Sequence, residues 1–126
     1  MIENFLIISC IGSNDRLGLR INKDFFIYNL DKQNDKEQLV SEILNFLNIH
    51  SVKLNEKFSV IVNQGPGSFT GIRIALAVAK GLQISQKINL YGYNGSDLKE
   101  FDQKNIEKML KEKLIEKNLI QPVYLS

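Results

Sequence analysis

Glycines, a proline and two hydroxyls crowd the stretch Gln64 to Leu82, QGPGSFTGIRIALAVAKGL, where an apolar run ends and an alanine-rich helix begins. Gly65, Pro66 and Gly67 supply backbone conformations that a Cβ makes costly, and Ser68 or Thr70 is placed to cap the free N–H groups of the helix. A strand, a glycine-rich turn and a helix N-terminus favour negative charge, through unpaired N–H groups and the helix dipole. The chemistry on offer is anion binding, with Gly65 to Ser68 as a phosphate cradle of a small nucleotide-binding enzyme. The spacing is not that of a P-loop, which needs a Lys-Ser/Thr pair after the loop, nor that of a dinucleotide fingerprint. The other use of the same residues is a tight, capped, structural turn, and the residues by themselves favour it.

Other reactive side chains offer less. Cys10 is the single cysteine, beside an apolar run, so it forms no disulfide within the chain and reads as a buried thiol. His50, the single histidine, follows a helix and has no metal-ligand companion at useful spacing. Asp15 and Asp24 stand near turns, where aspartates commonly serve local backbone hydrogen bonds. No catalytic residue, metal or cofactor is expected, and with no histidine pair to bind a metal, protease activity has no support.

The elements that would position these residues can be read from hydrophobic period. Phe5 to Cys10 reads as a strand, and Leu17 to Ile21 with Phe25 to Leu30 as a hairpin about Asn22, Lys23 and Asp24. Asp35 to Leu47 reads as an amphipathic helix with Leu39, Val40, Ile43, Leu44 and Leu47 on one face. Phe58 to Val62 and Ile88 to Tyr93 read as further strands, with a helix from Thr70 to Ile84 between them. A last helix is expected from about Asp102 to Lys117, its apolar stripe being Ile106, Met109, Leu110 and Leu114. The order βββαβαβα predicts an α/β fold, a mixed five-stranded sheet with packed helices in a single domain over residues 1–126.

The helix after the glycine turn is apolar on nearly every face, with Arg73 and Lys80 its only charges before Lys87. Such a helix must be buried on more than one side, and a chain of 126 residues has little material to cover the second. Ala75, Ala77, Ala79 and Gly81 would let a neighbouring backbone come close. Either a partner protein covers this face or the chain's own sheet and helices do.

Composition agrees with one modest core: 44% of residues are hydrophobic and the formal net charge is +2. Between Asp97 and Lys117 six lysines face six acidic residues, a pattern typical of a solvated helix face. The amino terminus, MIENFLIISCIG, has no basic region before its short apolar run, and no run approaches the length of a membrane span. A soluble cytoplasmic protein is the expectation.

The segment GPGSFTGIRIALAVAKGL, Gly65 to Leu82, resembles the signature of the TsaB (YeaZ) family, and Gln121 to Leu125 (QPVYL) is similar to that family's Pro-Val-Tyr-Leu ending. The resemblance puts Gly65, Pro66, Gly67, Ser68, Thr70 and Gly71 in the signature turn. It implies a single lobe of the actin-like ATPase (ribonuclease H-like) fold. Family members usually carry an Asp-Thr-Ser type turn after the first strand, where this chain has Ile8, Ser9, Cys10, Ile11 and Gly12. The missing aspartate argues against ATP hydrolysis. A second lobe usually leaves after the strand near Tyr91, whereas here Gly95 to Phe101 leads almost at once into the closing helix, with Tyr93, Asn94, Gly95 and Ser96 marking the departure point. The chain looks like a minimal, one-lobed version.

The function implied by the resemblance is that of a non-catalytic scaffold for a TsaD-like catalytic subunit in threonylcarbamoyladenosine synthesis on tRNA. The helices Asp35–Leu47 and Thr70–Ile84 would then pack on the partner, with Val40, Leu44, Leu76 and Ala77 as apolar contacts and Arg73 and Lys80 as charged ones. The alternative for Arg73 and Lys80 is that they solubilise one edge of a greasy helix. A TsaE-like ATPase is a further candidate partner, a homodimer through the same helices is another, and tRNA would be reached only through the complex.

Overall fold

The computed structural model describes residues 3–31 and 35–115. The elements run β1 (Phe5–Ser9), β2 (Arg16–Ile21), β3 (Asp24–Asn29), α1 (Lys36–Ile49), β4 (Ser59–Asn63), α2 (Phe69–Gln86), β5 (Asn89–Tyr93), a short 3-10 turn at Gly95–Asp97, and α3 (Gln103–Lys111). The expected order βββαβαβα is present, with boundaries shifted by a few residues. The last helix is the exception. It closes at Lys111, soon followed by Lys113 in the left-handed region at φ 59°; Lys117 and the QPVYL segment lie outside the described residues.

One sheet has the strand order β3-β2-β1-β4-β5. β1 pairs antiparallel with β2 and β2 with β3, while β1–β4 and β4–β5 are parallel. The hairpin turn at Asn22 and Lys23 holds both residues at positive φ, 52° and 74°, the geometry a two-residue turn between twisted strands demands. A parallel neighbour cannot be reached by a tight turn, so β4 and β5 are joined through α2.

Alternation along the strands divides the core in two. Leu6, Ile8, Cys10, Leu17, Leu19, Val60, Val62 and Leu90 point to the face covered by α1 and α2, whose Leu39, Ile43, Ile72, Ala75 and Ala79 complete that cluster. Phe5, Ile7, Ile61 and Tyr93 point the other way, onto Phe101, Ile106 and Met109 of α3 and the segment before it. β1 is buried along its whole length because it is central and covered on both faces.

Local chemistry starts the helices. Asp35 accepts the Gln38 N–H at 2.7 Å to cap α1, and Asp102 accepts the Asn105 N–H at 2.8 Å to cap α3. α2 differs from expectation: Ser68 occupies its N-cap but makes no side-chain cap bond, and Thr70 lies exposed inside the helix. Ser68 packs closely on Gly12: a Cβ on Gly12 would stand 2.5 Å from the Ser68 Cβ.

Candidate functional site

The carboxyl ends of β1, β4 and β5 lie side by side, and each ends in a polar residue facing the α3 layer: Ser9, Asn63 and Tyr93. In open α/β sheets the crevice outside these ends is where ligands bind. Ser9 is 7%, Asn63 4% and Tyr93 1% exposed, so the three form a buried polar cluster. Asn63 Nδ2 donates to Ser9 Oγ at 3.1 Å, and Asn63 Oδ1 accepts the Gly65 N–H at 2.9 Å. Burial pushes the Tyr93 phenol above its ordinary range, against the opposing pull of Ser9, Arg16 and Asn63. Arg16 is paired with Ser9 in the β1–β2 register and lays its guanidinium 4.7 Å over the Phe101 ring.

The glycine turn sits directly on this cluster, and its glycines are consumed by backbone packing. A Cβ on Gly67 would stand 2.6 Å from Ile11 Cβ and 2.8 Å from its carbonyl oxygen. A Cβ on Gly71 would stand 2.6 Å from the Cys10 carbonyl oxygen, so the first turn of α2 leans on the loop after β1. Gly65 holds φ 104°, a region open to glycine, and its carbonyl accepts the Gly95 N–H at 2.7 Å. The Ser68 N–H, the first donor an anion would meet, is already given to the Ile11 carbonyl at 2.7 Å. This geometry favours the structural turn over the phosphate cradle.

Tyr93 to Ser96, expected as the departure point of a second lobe, are built into the same knot. Gly95 lies against the Asn63 amide, where a Cβ would meet Oδ1 at 2.8 Å, and Asn94 Oδ1 accepts the Ser96 N–H at 2.9 Å. Asn63 and Arg16 escaped sequence reading. The signal for Asn63 was a polar residue closing the apolar strand SVIVN, a pattern without a motif.

The remaining reactive residues have structural surroundings. Cys10 is fully buried, its thiol pushed up by burial and by the neighbouring Asp15 charge. Asp15, 4% exposed, accepts the Gly12 N–H at 2.9 Å, the local backbone role expected of it. His50 stacks on Phe26 at 4.1 Å between ring centroids and meets Phe46 edge-on at 5.3 Å. Among the described residues, no three of His, Cys, Asp and Glu converge as a metal site, and no helix is long and apolar enough to cross a membrane.

The second candidate surface is the outer side of α1 and α2. Of the six residues expected there, Leu44 is 49% exposed, Arg73 and Lys80 are exposed, and Val40 and Ala77 are half-buried. Leu76 must be corrected: at 6% exposure it belongs to the core beneath α2, because the chain's own sheet and α1 cover most of that helix. Ile84, 75% exposed in its last turn, extends the apolar surface instead. A shallow groove between the helices is lined by Val40, Leu44, Leu47, Leu82 and Gln86, among others. Arg73 places its guanidinium 4.9 Å over the exposed Phe69 ring.

Comparison with known proteins adds independent information. Residues 30–97, more than half of the chain, match the family model described as TsaD: tRNA N6-adenosine threonylcarbamoyltransferase. The "tRNA threonylcarbamoyladenosine biosynthesis protein TsaB" of Buchnera aphidicola subsp. Schizaphis graminum is 33% identical over 93 residues, 69% of this chain and 43% of that relative. The protein of the same name from Buchnera aphidicola subsp. Baizongia pistaciae is 42% identical over 60 residues, 45% of this chain and 27% of that relative. The matches thus span less than half the length of these relatives. Among solved structures, YeaZ from Pseudomonas aeruginosa superposes with a TM-score of 0.66 at 18% identity, covering 89% of this chain and 50% of that one. A protein from the same organism, described as similar to peptidase YeaZ, gives 0.65 at 19% identity over 74% of this chain and 44% of its own. At such identities the agreement is one of fold: the mixed five-stranded sheet with its helices is the actin-like, ribonuclease H-like arrangement of YeaZ.

Proposed function

The chain belongs to the TsaB (YeaZ) family, and from that membership we propose that it serves threonylcarbamoyladenosine synthesis on tRNA as a non-catalytic scaffold docked on a TsaD-like catalytic subunit. In this reading residues 1–126 act as one lobe in the cytoplasm, and the transfer chemistry belongs to the partner. A TsaE-like ATPase is a further candidate member of the assembly, and a homodimer through the same helices is a state of the free chain.

The observation that carries the proposal is the apolar outer surface of α1 and α2. Leu44 and Ile84 are large, apolar and 49% and 75% exposed: Leu44 lines a groove with Val40 and Leu82, while Ile84 shares the outer side of α2 with Arg73, Ala77 and Lys80, at helical spacing. Water contact at such positions is unfavourable by about 25 cal/mol for each Å² of apolar surface, so covering them with a complementary helix pair stabilises a complex. Arg73 and Lys80 stand on the exposed side of α2 and are available to acidic groups of a partner. The small Ala77, half-buried between them, would let a partner helix approach closely.

The non-catalytic reading draws on the strand ends. Where the family resemblance leads one to expect an aspartate, Ser9 is tied to Asn63 and Cys10 is packed into the core. Size-exclusion chromatography with light scattering, on the chain mixed with a TsaD-like protein and on each protein alone, tests the proposal. A defined heteromer supports it; two unshifted peaks overturn binary docking.

A further inference from the structure

On the opposite layer, α3 and β2 form a groove whose charged lining, among the described residues, is Arg20, Lys104, Glu107, Lys108, Lys111 and Lys113. Cations outnumber the carboxylate five to one there, which the even balance of charge along the sequence conceals. Helical geometry does the sorting: Lys104, Lys108 and Lys111 stand at i, i+4 and i+7 on one side of α3. Two of the nearby acids are engaged. Asp102 caps the helix, accepting both the backbone N–H and the Nδ2 of Asn105. Glu107 holds Arg20 at 2.8 Å and accepts from Gln103 Nε2 at 3.2 Å. Glu112 approaches Lys108 only at 3.9 Å, with both side chains more than half exposed, a contact too solvated to neutralise the ammonium.

From Lys104 to Lys111 the helix rises about 10 Å. That is close to the Debye length of roughly 8 Å at physiological ionic strength, so these charges act on a nearby polyanion as one field. We infer that this groove binds an RNA phosphate backbone, so that this subunit contacts tRNA directly. The choice of RNA over another polyanion rests on the reading that the chain works in tRNA modification; the cationic face itself does not. A row of lysines without aromatic platforms, the one arginine of the lining being held by Glu107, suits sequence-independent backbone contact, which positions a nucleic acid rather than reading its bases.

The test is fluorescence anisotropy of a labelled tRNA transcript titrated with the full chain between about 50 and 200 mM salt, where each neutralised phosphate contributes roughly 0.7 to 0.9 to the log–log salt slope. Replacing the three exposed lysines together, K104Q/K108Q/K111Q, is expected to flatten the slope by about 2 to 3 and to weaken binding at least about tenfold. The variant K36Q/K53Q/K57Q removes the same charge from exposed positions outside the groove and is expected to leave the slope unchanged. Equal losses in both variants, or no binding by the parent chain, overturn the inference. So does polyglutamate binding as tightly as tRNA with the same dependence on Lys104, Lys108 and Lys111, which would assign the face to an acidic protein. Co-elution of the groove variant with a TsaD-like subunit is read separately, so that failure of RNA binding and failure of docking are told apart.

Discussion

Asn63 and Ser9, 54 residues apart in sequence, join the carboxyl ends of two parallel strands: the Asn63 amide donates to the Ser9 hydroxyl at 3.1 Å. The same amide accepts the Gly65 N–H, so a single side chain ties β1, β4 and the signature turn together. Asn63→Ala would leave a buried hydroxyl and a buried N–H without these partners. Such orphaned groups cost about 1–3 kcal/mol each, so we expect a loss of that order in urea unfolding. Ser9→Ala, which leaves the Gly65 bond intact, is expected to cost less.

Two glycines of α2 should respond in opposite directions to the same substitution. Gly71→Ala places a Cβ 2.6 Å from the Cys10 carbonyl oxygen, a backbone atom that cannot swing away. Overpacking of this kind typically costs about 1–3 kcal/mol. Gly81 has nothing within 4 Å of its Cβ position and lies in the helix interior, so Gly81→Ala should stabilise by about 0.5–1 kcal/mol. Thermal unfolding of the two variants checks both signs.

Docking through α1 and α2 predicts a separation of folding from binding. Leu44→Glu and Ile84→Glu alter exposed side chains and should shift unfolding by less than about 0.5 kcal/mol. Each should weaken co-elution with a TsaD-like subunit about fivefold or more, the effect of losing an interface contact worth about 1 kcal/mol. Leu76→Asp buries a charge in the core and should lose cooperative unfolding instead. A parent-like complex with Leu44→Glu and Ile84→Glu combined would sink docking at this surface.

Alkaline conditions should destabilise the fold. In the folded chain burial holds the Cys10 thiol and the Tyr93 phenol protonated, above their ordinary values of 9.0 and 10.0. An acid whose folded pKa is raised contributes stability that is complete below its unfolded pKa and lost as pH climbs beyond it. The urea midpoint should therefore be flat up to about pH 8 and fall from about pH 9 upward. Cys10→Ala should flatten the first part of that decline. For the same reason Cys10 should react with a disulfide reagent at pH 8 only as fast as the chain opens.

Much of the architecture was legible beforehand because it is set by local period. The short apolar run of Phe5–Ser9, the alternation in Arg16–Ile21 and the 3.6-residue stripe of α1 act within a few residues of themselves. They predict elements and their order. The signature turn was legible as glycine chemistry, but its use was not. Whether Gly67 and Gly71 cradle an anion or admit a neighbouring backbone depends on where Ile11 and Cys10 lie, more than fifty residues earlier.

What the sequence by itself determined, then, was the series of strands and helices, the signature turn and the family resemblance, because periodicity and spacing are properties of neighbours along the chain. Tertiary structure alone decided the rest. It put Leu76 in the core and left Leu44 and Ile84 outside, because burial depends on what each face of α1 and α2 meets in the folded chain. It gathered Ser9, Asn63 and Tyr93, because parallel strands distant in sequence bring like ends together. It also sorted an even mixture of charges into a cationic groove on α3, since a helix distributes residues by angle as well as by order.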